Sequence, residues 1–177
     1  GAMPVVCMSG ETKENVQNNN SIDSSILYHL YNGSSISDTI SNLNIFNTYF
    51  KNNIPNSLKY EGELYRIIQT NNKSIYDKIL KNGLSPFINQ KYISCSKSLN
   101  GIDQVIQKTY KKNYKYYIIF KFNFTNDDVF FDVNKMIDYL HLDVNKFRTE
   151  EEVLVLTKNI SYLDTNNIIK HGKYEKE

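Results

Sequence analysis

Tyr116-Tyr117-Ile118-Ile119-Phe120-Lys121-Phe122-Asn123-Phe124 is the strongest strand signal in the chain. It is β-branched and aromatic, and it passes from a continuous apolar run to alternation, the pattern of a strand leaving the covered centre of a sheet. Immediately upstream, residues 100–110 read as a helix in which Ile102, Val105, Ile106 and Thr109 share one face. Before that comes a strand over residues 91–96, then a helix over Ser74–Leu80 that Asn82-Gly83 ends and Pro86 cannot continue. The first core strand is Glu63-Leu64-Tyr65-Arg66-Ile67-Ile68-Gln69, with Asn71-Asn72 as the turn out of it.

Downstream of the central run, Val129–Val133 extends the sheet and residues 134–140 suit a short helix. Residues 143–149 read as an exposed turn region, Glu152-Val153-Leu154-Val155-Leu156 as a buried strand, and residues 160–169 as a last strand pair or hairpin. Several strand-to-strand links are too short for a parallel crossover, so the expected class is α+β with mostly antiparallel strands.

The N-terminal third reads differently. Gly1-Ala2-Met3 looks like the remnant of a cleaved tag, and residues 9–20 hold a single apolar side chain, too little to offset the entropy of ordering. Residues 1–20 are therefore expected to be a tag remnant and a disordered tail, with 21–177 as one domain. Asp23 can cap a first helix over Ile26-Leu27-Tyr28-Leu30. A second runs from the cap candidates Ser35 and Ser37 through Ile40, Leu43, Phe46 and Phe50 to the break at Asn52-Asn53-Ile54-Pro55.

Composition narrows the function classes. A length of 177 residues suffices for a core without disulfides or a structural metal. Cys7 and Cys95 offer neither a disulfide framework nor zinc-ligand spacing, which fits a reducing compartment and a metal-free protein. No stretch approaches the length needed to span a bilayer, so a soluble chain is expected. The formal charge of +2, with lysines scattered among acids, argues against nucleic-acid binding as the main occupation. The basic, aromatic run Lys108-Thr109-Tyr110-Lys111-Lys112-Asn113-Tyr114-Lys115 is compatible with phosphates or stacked bases, and reads first as a solvated helix end. Arginine occurs only at positions 66 and 148. Only a guanidinium presents a rigid, always charged fork, so each is a candidate for a specific task.

An acidic triplet such as Glu150-Glu151-Glu152 usually belongs to a solvated loop. Here it runs directly into Val153-Leu154-Val155-Leu156, and strand alternation would put Glu150 and Glu152 on one side and Glu151 on the other. With Leu64-Tyr65-Arg66 and Tyr92-Ile93-Ser94-Cys95-Ser96 preceding Phe147-Arg148-Thr149-Glu150-Glu151-Glu152 in that order, the chain resembles the mono-ADP-ribosyltransferases with an Arg, Ser-Thr-Ser and Glu-x-Glu signature, the arginine-modifying toxin and phage enzymes in particular. Phe147, three positions before the first Glu of the pair, matches the aromatic of that family's turn-turn loop. The resemblance runs from Leu64 to Leu154, and the helical segment before Arg66 is similar to the family's N-terminal region.

The resemblance implies an ADP-ribosyltransferase-like fold, two packed, mostly antiparallel sheets around a cleft for NAD+ with helices at the N-terminus. It implies transfer of ADP-ribose from NAD+, a co-substrate needing no metal, to arginine side chains of acceptor proteins, with nicotinamide released. Glu152 would stabilise the oxocarbenium-like transition state. Glu150 would orient and deprotonate the acceptor guanidinium. Arg66 would hold NAD+ phosphate and ribose, Ser94 would fix Glu152, and Ser96 and the backbone at Ile67 would line the nicotinamide pocket. Phe147 and Arg148 would meet the acceptor, Arg148 having a neighbouring carboxylate as its other prospect.

Bland readings stand beside these: Arg66 paired with a surface acid, Ser94 and Ser96 as ordinary strand serines, and Tyr65, Tyr92 and Ile93 as core. Two residues depart from the family pattern. Cys95 stands where Thr is usual, exchanging a hydroxyl for a weaker thiol and loosening strand packing, and Ile67 stands where many relatives have Gly. Other outcomes on the same fold are an NAD+ glycohydrolase, a transferase with a nucleic-acid acceptor and an inactive binding module. The expected setting is a monomer acting in a cytosol, a host cell's included.

Overall fold

The computed structural model describes Phe50 and residues 53–85, 92–139, 145–157 and 163–175. The expected N-terminal tail and the two helices leading up to Phe50 lie outside the described residues. In chain order the elements are β1 (Gly62–Thr70), α1 (Lys73–Asn82), β2 (Tyr92–Ser96), α2 (Leu99–Lys108), β3 (Tyr116–Phe124), β4 (Val129–Asp132), α3 (Val133–Tyr139), β5 (Glu152–Leu156) and β6 (Ile168–Lys173). The class is α+β, as the pattern of short links predicts.

Local chemistry sets the element ends. Asn72 caps α1 by accepting from the Ile75 amide at 3.1 Å, and Gly83, at φ 81°, leaves the helix through a conformation that glycine adopts without steric cost. Ser98 caps α2 by accepting from the Gly101 amide. The expected helix over residues 100–110 ends two residues early, and Tyr110–Lys112 continues as a 3-10 turn that Asn113 closes in the left-handed region at φ 58°.

All strand pairings are antiparallel, and the order is β4-β5-β2-β1-β3-β6. β1 and β3 pair along their full lengths, from Gly62 opposite Phe124 to Thr70 opposite Tyr116. β2 and β5 pair from Tyr92–Leu156 to Ser96–Glu152. Between β1 and β2, by contrast, one registered pair joins the halves, Tyr65 opposite Ser96. The expectation of two packed, mostly antiparallel sheets is thus corrected: the described strands form one six-stranded antiparallel sheet, joined by a single registered pair where β1 meets β2.

Alternation sorts side chains to the two faces. Leu64, Ile93, Cys95, Ile118, Phe120, Val153 and Val155 form the main core, covered by Tyr76 and Ile79 of α1. On the other face Ile67 and Ile119 pack with Ile102 of α2, and Tyr65, Val105 and Ile106 close around them. Cys95 is 2% exposed in the main core, so the thiol fills apolar volume there and the strand packing around it is intact. Ile67 likewise packs beneath α2. Of the last strand pair or hairpin expected over residues 160–169, residues 160–162 lie outside the described residues; in the described part Leu163 forms an isolated bridge with Leu84, and the strand begins at Ile168.

Candidate active site

Glu152 opens β5 opposite Ser96 of β2, with Ser94 one side-chain repeat further along β2 on the same face. Glu152 is 4% exposed, and the Ser94 hydroxyl donates to its Oε2 in a very short hydrogen bond. Its other oxygen, Oε1, is buried and has no hydrogen-bond partner. Burial pushes the Glu152 carboxyl up to about 8; the Ser94 bond and the charges of Arg66 and Lys108 pull the other way, and Glu150 adds to the rise. A buried carboxyl with one unmet oxygen is costly to keep, as is expected where stability is given up for function.

Glu150 reaches the same space by a different route from the one strand alternation suggests. It is the last residue of a 3-10 turn, Asn145–Glu150, and Glu151 follows at φ 50°, a left-handed conformation uncommon outside glycine. The reading of Glu150 as a strand residue is therefore corrected. The turn, and the reversal at Glu151, bring Glu150 within electrostatic reach of Glu152. The 3-10 turn ends on a buried Glu150, 9% exposed, whose carboxyl is pushed up to about 7 by burial. Lys108, at the end of α2, donates to its Oε2 at 2.8 Å.

Glu151 has a structural task. Its Oε1 accepts from the Ser98 hydroxyl at 2.5 Å, and its carbonyl accepts from the Lys97 amide at 3.1 Å. These bonds tie the turn to the link between β2 and α2. Gly101 lets α2 approach: a Cβ there would lie 2.4 Å from the Glu150 carbonyl oxygen. The Lys97 ammonium makes a very short ion pair with Asp132, which is fully buried at the end of β4.

Arg66 sits at the split. Leu64 and Ile68, on either side of it in the alternation, join the main core, and its Nη1 donates to the Ser94 carbonyl at 2.9 Å. The guanidinium thereby bridges β1 to β2 where their ladder has opened. Its buried Nε has no hydrogen-bond partner. The surface-acid pairing held open for Arg66 does not occur among the described residues. Ser96 is 3% exposed beside the α2 turn.

The structure thus brings Glu152, Glu150, Ser94, Ser96 and Arg66 together at one end of the split. Arg148 is directed elsewhere, its Nη2 meeting Asp138 of α3 at 2.5 Å, the neighbouring carboxylate foreseen for it. Phe147 lies in the same 3-10 turn, and the expectation for its ring falls outside the described side chains. Tyr92, expected in the core, is half-buried instead and feels the Glu152 charge, its phenol being pushed up to about 12 mainly by burial; the period-two series Tyr92, Ser94, Ser96 was the available signal. Two other features of the site were not singled out from the sequence. Lys108 and the Ser98–Glu151 bond depend on where α2 docks, which no local pattern encodes. No protein-family model matches this chain, and no curated protein matches it.

Proposed function

We propose that the protein is a mono-ADP-ribosyltransferase that moves ADP-ribose from NAD+ to arginine side chains of acceptor proteins. We propose further that its fold is ADP-ribosyltransferase-like, with the split between β1 and β2 as the NAD+ cleft. The observation that carries the reading is Glu152: a buried carboxyl held at one oxygen by Ser94, with its second oxygen unpartnered and a second acid two residues away.

NAD+ brings a ribose–nicotinamide bond whose cleavage passes through an oxocarbenium-like state. Glu152, once ionised, offers Oε1 to the ribose hydroxyl and places negative charge where positive charge develops. Ser94 fixes the other oxygen, so the carboxylate need not reorient during reaction. The unpartnered Nε of Arg66 is a donor suited to ribose or phosphate oxygens at the split. The ribose C1′–nitrogen bond breaks with its electron pair leaving on nicotinamide, a new C1′–nitrogen bond forms to the acceptor guanidinium, and the displaced proton passes to Glu150.

One observation favours a second reading. Lys108 already holds the Glu150 carboxylate where an acceptor cation would dock, an arrangement that suits water as acceptor and hence an NAD+ glycohydrolase. Labelled NAD+ incubated with the protein and a cell extract, beside Glu152→Ala, tests catalysis: labelled acceptor protein with the parent chain alone is expected, and identical signals from both would refute it. Glu150→Gln separates the readings, since it should abolish labelling while NAD+ hydrolysis persists if transfer is the native reaction.

A further inference from the structure

The run Lys108–Lys115 is not used by the chemistry above beyond Lys108 itself. Four of its residues, Thr109, Tyr110, Asn113 and Tyr114, line an open cleft of about 870 Å³ at the far end of α2. The floor is a fixed network: Gln69 donates to the Thr109 hydroxyl at 2.9 Å and accepts from the Tyr174 hydroxyl at 2.8 Å, while the Tyr174 ring stacks on Tyr117 with centroids 4.8 Å apart. Ile106, Tyr110 and Tyr114 form the sides. Tyr110 is 78% exposed, an unusual state for a large aromatic side chain, and Lys111, Lys112 and Lys115, its neighbours in sequence, are exposed as well, outside the cleft lining itself. The closing residue Asn113 holds the left-handed conformation that turns the chain so that Tyr110 and Tyr114 border one space.

We infer that this cleft binds single-stranded nucleic acid, with bases stacked on Tyr110 and Tyr114 and phosphates met by Lys111, Lys112 and Lys115. Rings with cations between them suit a strand that alternates bases and phosphates. The same lysines oppose an arginine-bearing peptide, although Glu175 at the rim would accept one. Gln69 is committed to Thr109 and Tyr174, so the floor offers little base-edge readout and binding is sequence-tolerant. The near-neutral charge of the whole chain is no obstacle, because the attraction is local and falls off within about a Debye length. The site is separate from the chemistry proposed above and holds whether or not that reading does.

The test uses the full chain without NAD+ and a fluorescent oligothymidylate of roughly 12 nucleotides at about 50 mM salt, read by anisotropy. Saturable binding is expected, weakened about tenfold by Tyr110→Ala and kept by Tyr110→Phe. Lys111→Gln with Lys112→Gln should make the slope of log affinity against log salt shallower by about 1.4, since each phosphate contact contributes about 0.7. Both positions are exposed, so the variants should melt as the parent does. No binding below about 100 µM, equal binding by Tyr110→Ala, displacement by inorganic polyphosphate as effective as by the oligonucleotide, or preference for an arginine-rich peptide would each overturn the proposal.

Discussion

The Ser94 hydroxyl donates to Oε2 of Glu152 and leaves Oε1 of the same buried carboxyl without a partner. A carboxyl so placed is a liability for folding, and its direction with pH is fixed by the shift. The folded protein keeps the Glu152 proton up to about 8, whereas an exposed carboxyl releases it near 4.5. Between those values the native state binds more protons than the unfolded chain, so stability falls as pH rises through the window and levels off above it. Glu150, raised to about 7, acts in the same direction.

Glu152→Gln should therefore match the parent near pH 4 and exceed it by roughly 4 kcal/mol near pH 8, because the neutral amide keeps an oxygen for Ser94 and never has to ionise in the interior. Urea unfolding at the two pH values checks this. A parent whose stability rises between pH 5 and 8 would show that other groups govern the window.

Ser94→Ala removes the one hydrogen bond that stabilises the ionised form of Glu152. Its carboxyl midpoint should move further up, and the pH at which NAD+ cleavage reaches half its limiting kcat/KM should follow it, with the limit lowered about tenfold or more. A loss in rate with an unmoved pH profile would mean that Ser94 serves the strand and not the carboxyl.

Most of the architecture was legible because it is periodic. β1, β2, β3 and β5 are short runs with clear turn chemistry at their ends, and Asn72 and Gly83 bound α1 as capping residues should. The split between β1 and β2 was not legible, since pairing between distant strands depends on how both halves pack. Alternation also misjudged Glu150: the Glu151 backbone at φ 50° breaks the period, and a glutamate carries no local signal for that conformation. The correct juxtaposition of Glu150 and Glu152 was reached through the wrong geometry. Lys108 lies 42 positions from Glu150, and only the docking of α2 against the turn brings them to 2.8 Å.

Lys108→Gln should raise the Glu150 midpoint above about 7, because an opposite charge 2.8 Å from a carboxylate favours its ionised form while burial lifts it. For the transferase reading, loss of that internal cation should also lower KM for a small guanidine acceptor while leaving KM for NAD+ nearly unchanged. The midpoint can be followed by carboxyl-selective NMR; a fall in the midpoint would contradict the role given to Lys108.

Gly101→Ala reverses an ordinary rule. Within an exposed helix the change would add about 0.5–1 kcal/mol of stability by restricting the unfolded chain. At Gly101 the new Cβ would stand 2.4 Å from the Glu150 carbonyl oxygen and 3.0 Å from the Ser96 Cβ, and the nearest obstacle is backbone, which cannot rotate aside. Either α2 or the turn must retreat, stretching the bonds by which Ser98 and Lys97 hold Glu151. The expected outcome is a net loss of about 1–3 kcal/mol, together with a fall in kcat, since the retreat moves Glu150 relative to Glu152. Thermal unfolding and NAD+ turnover measured on the same preparation check both parts; a variant more stable than the parent would place α2 further from the turn than the structure has it.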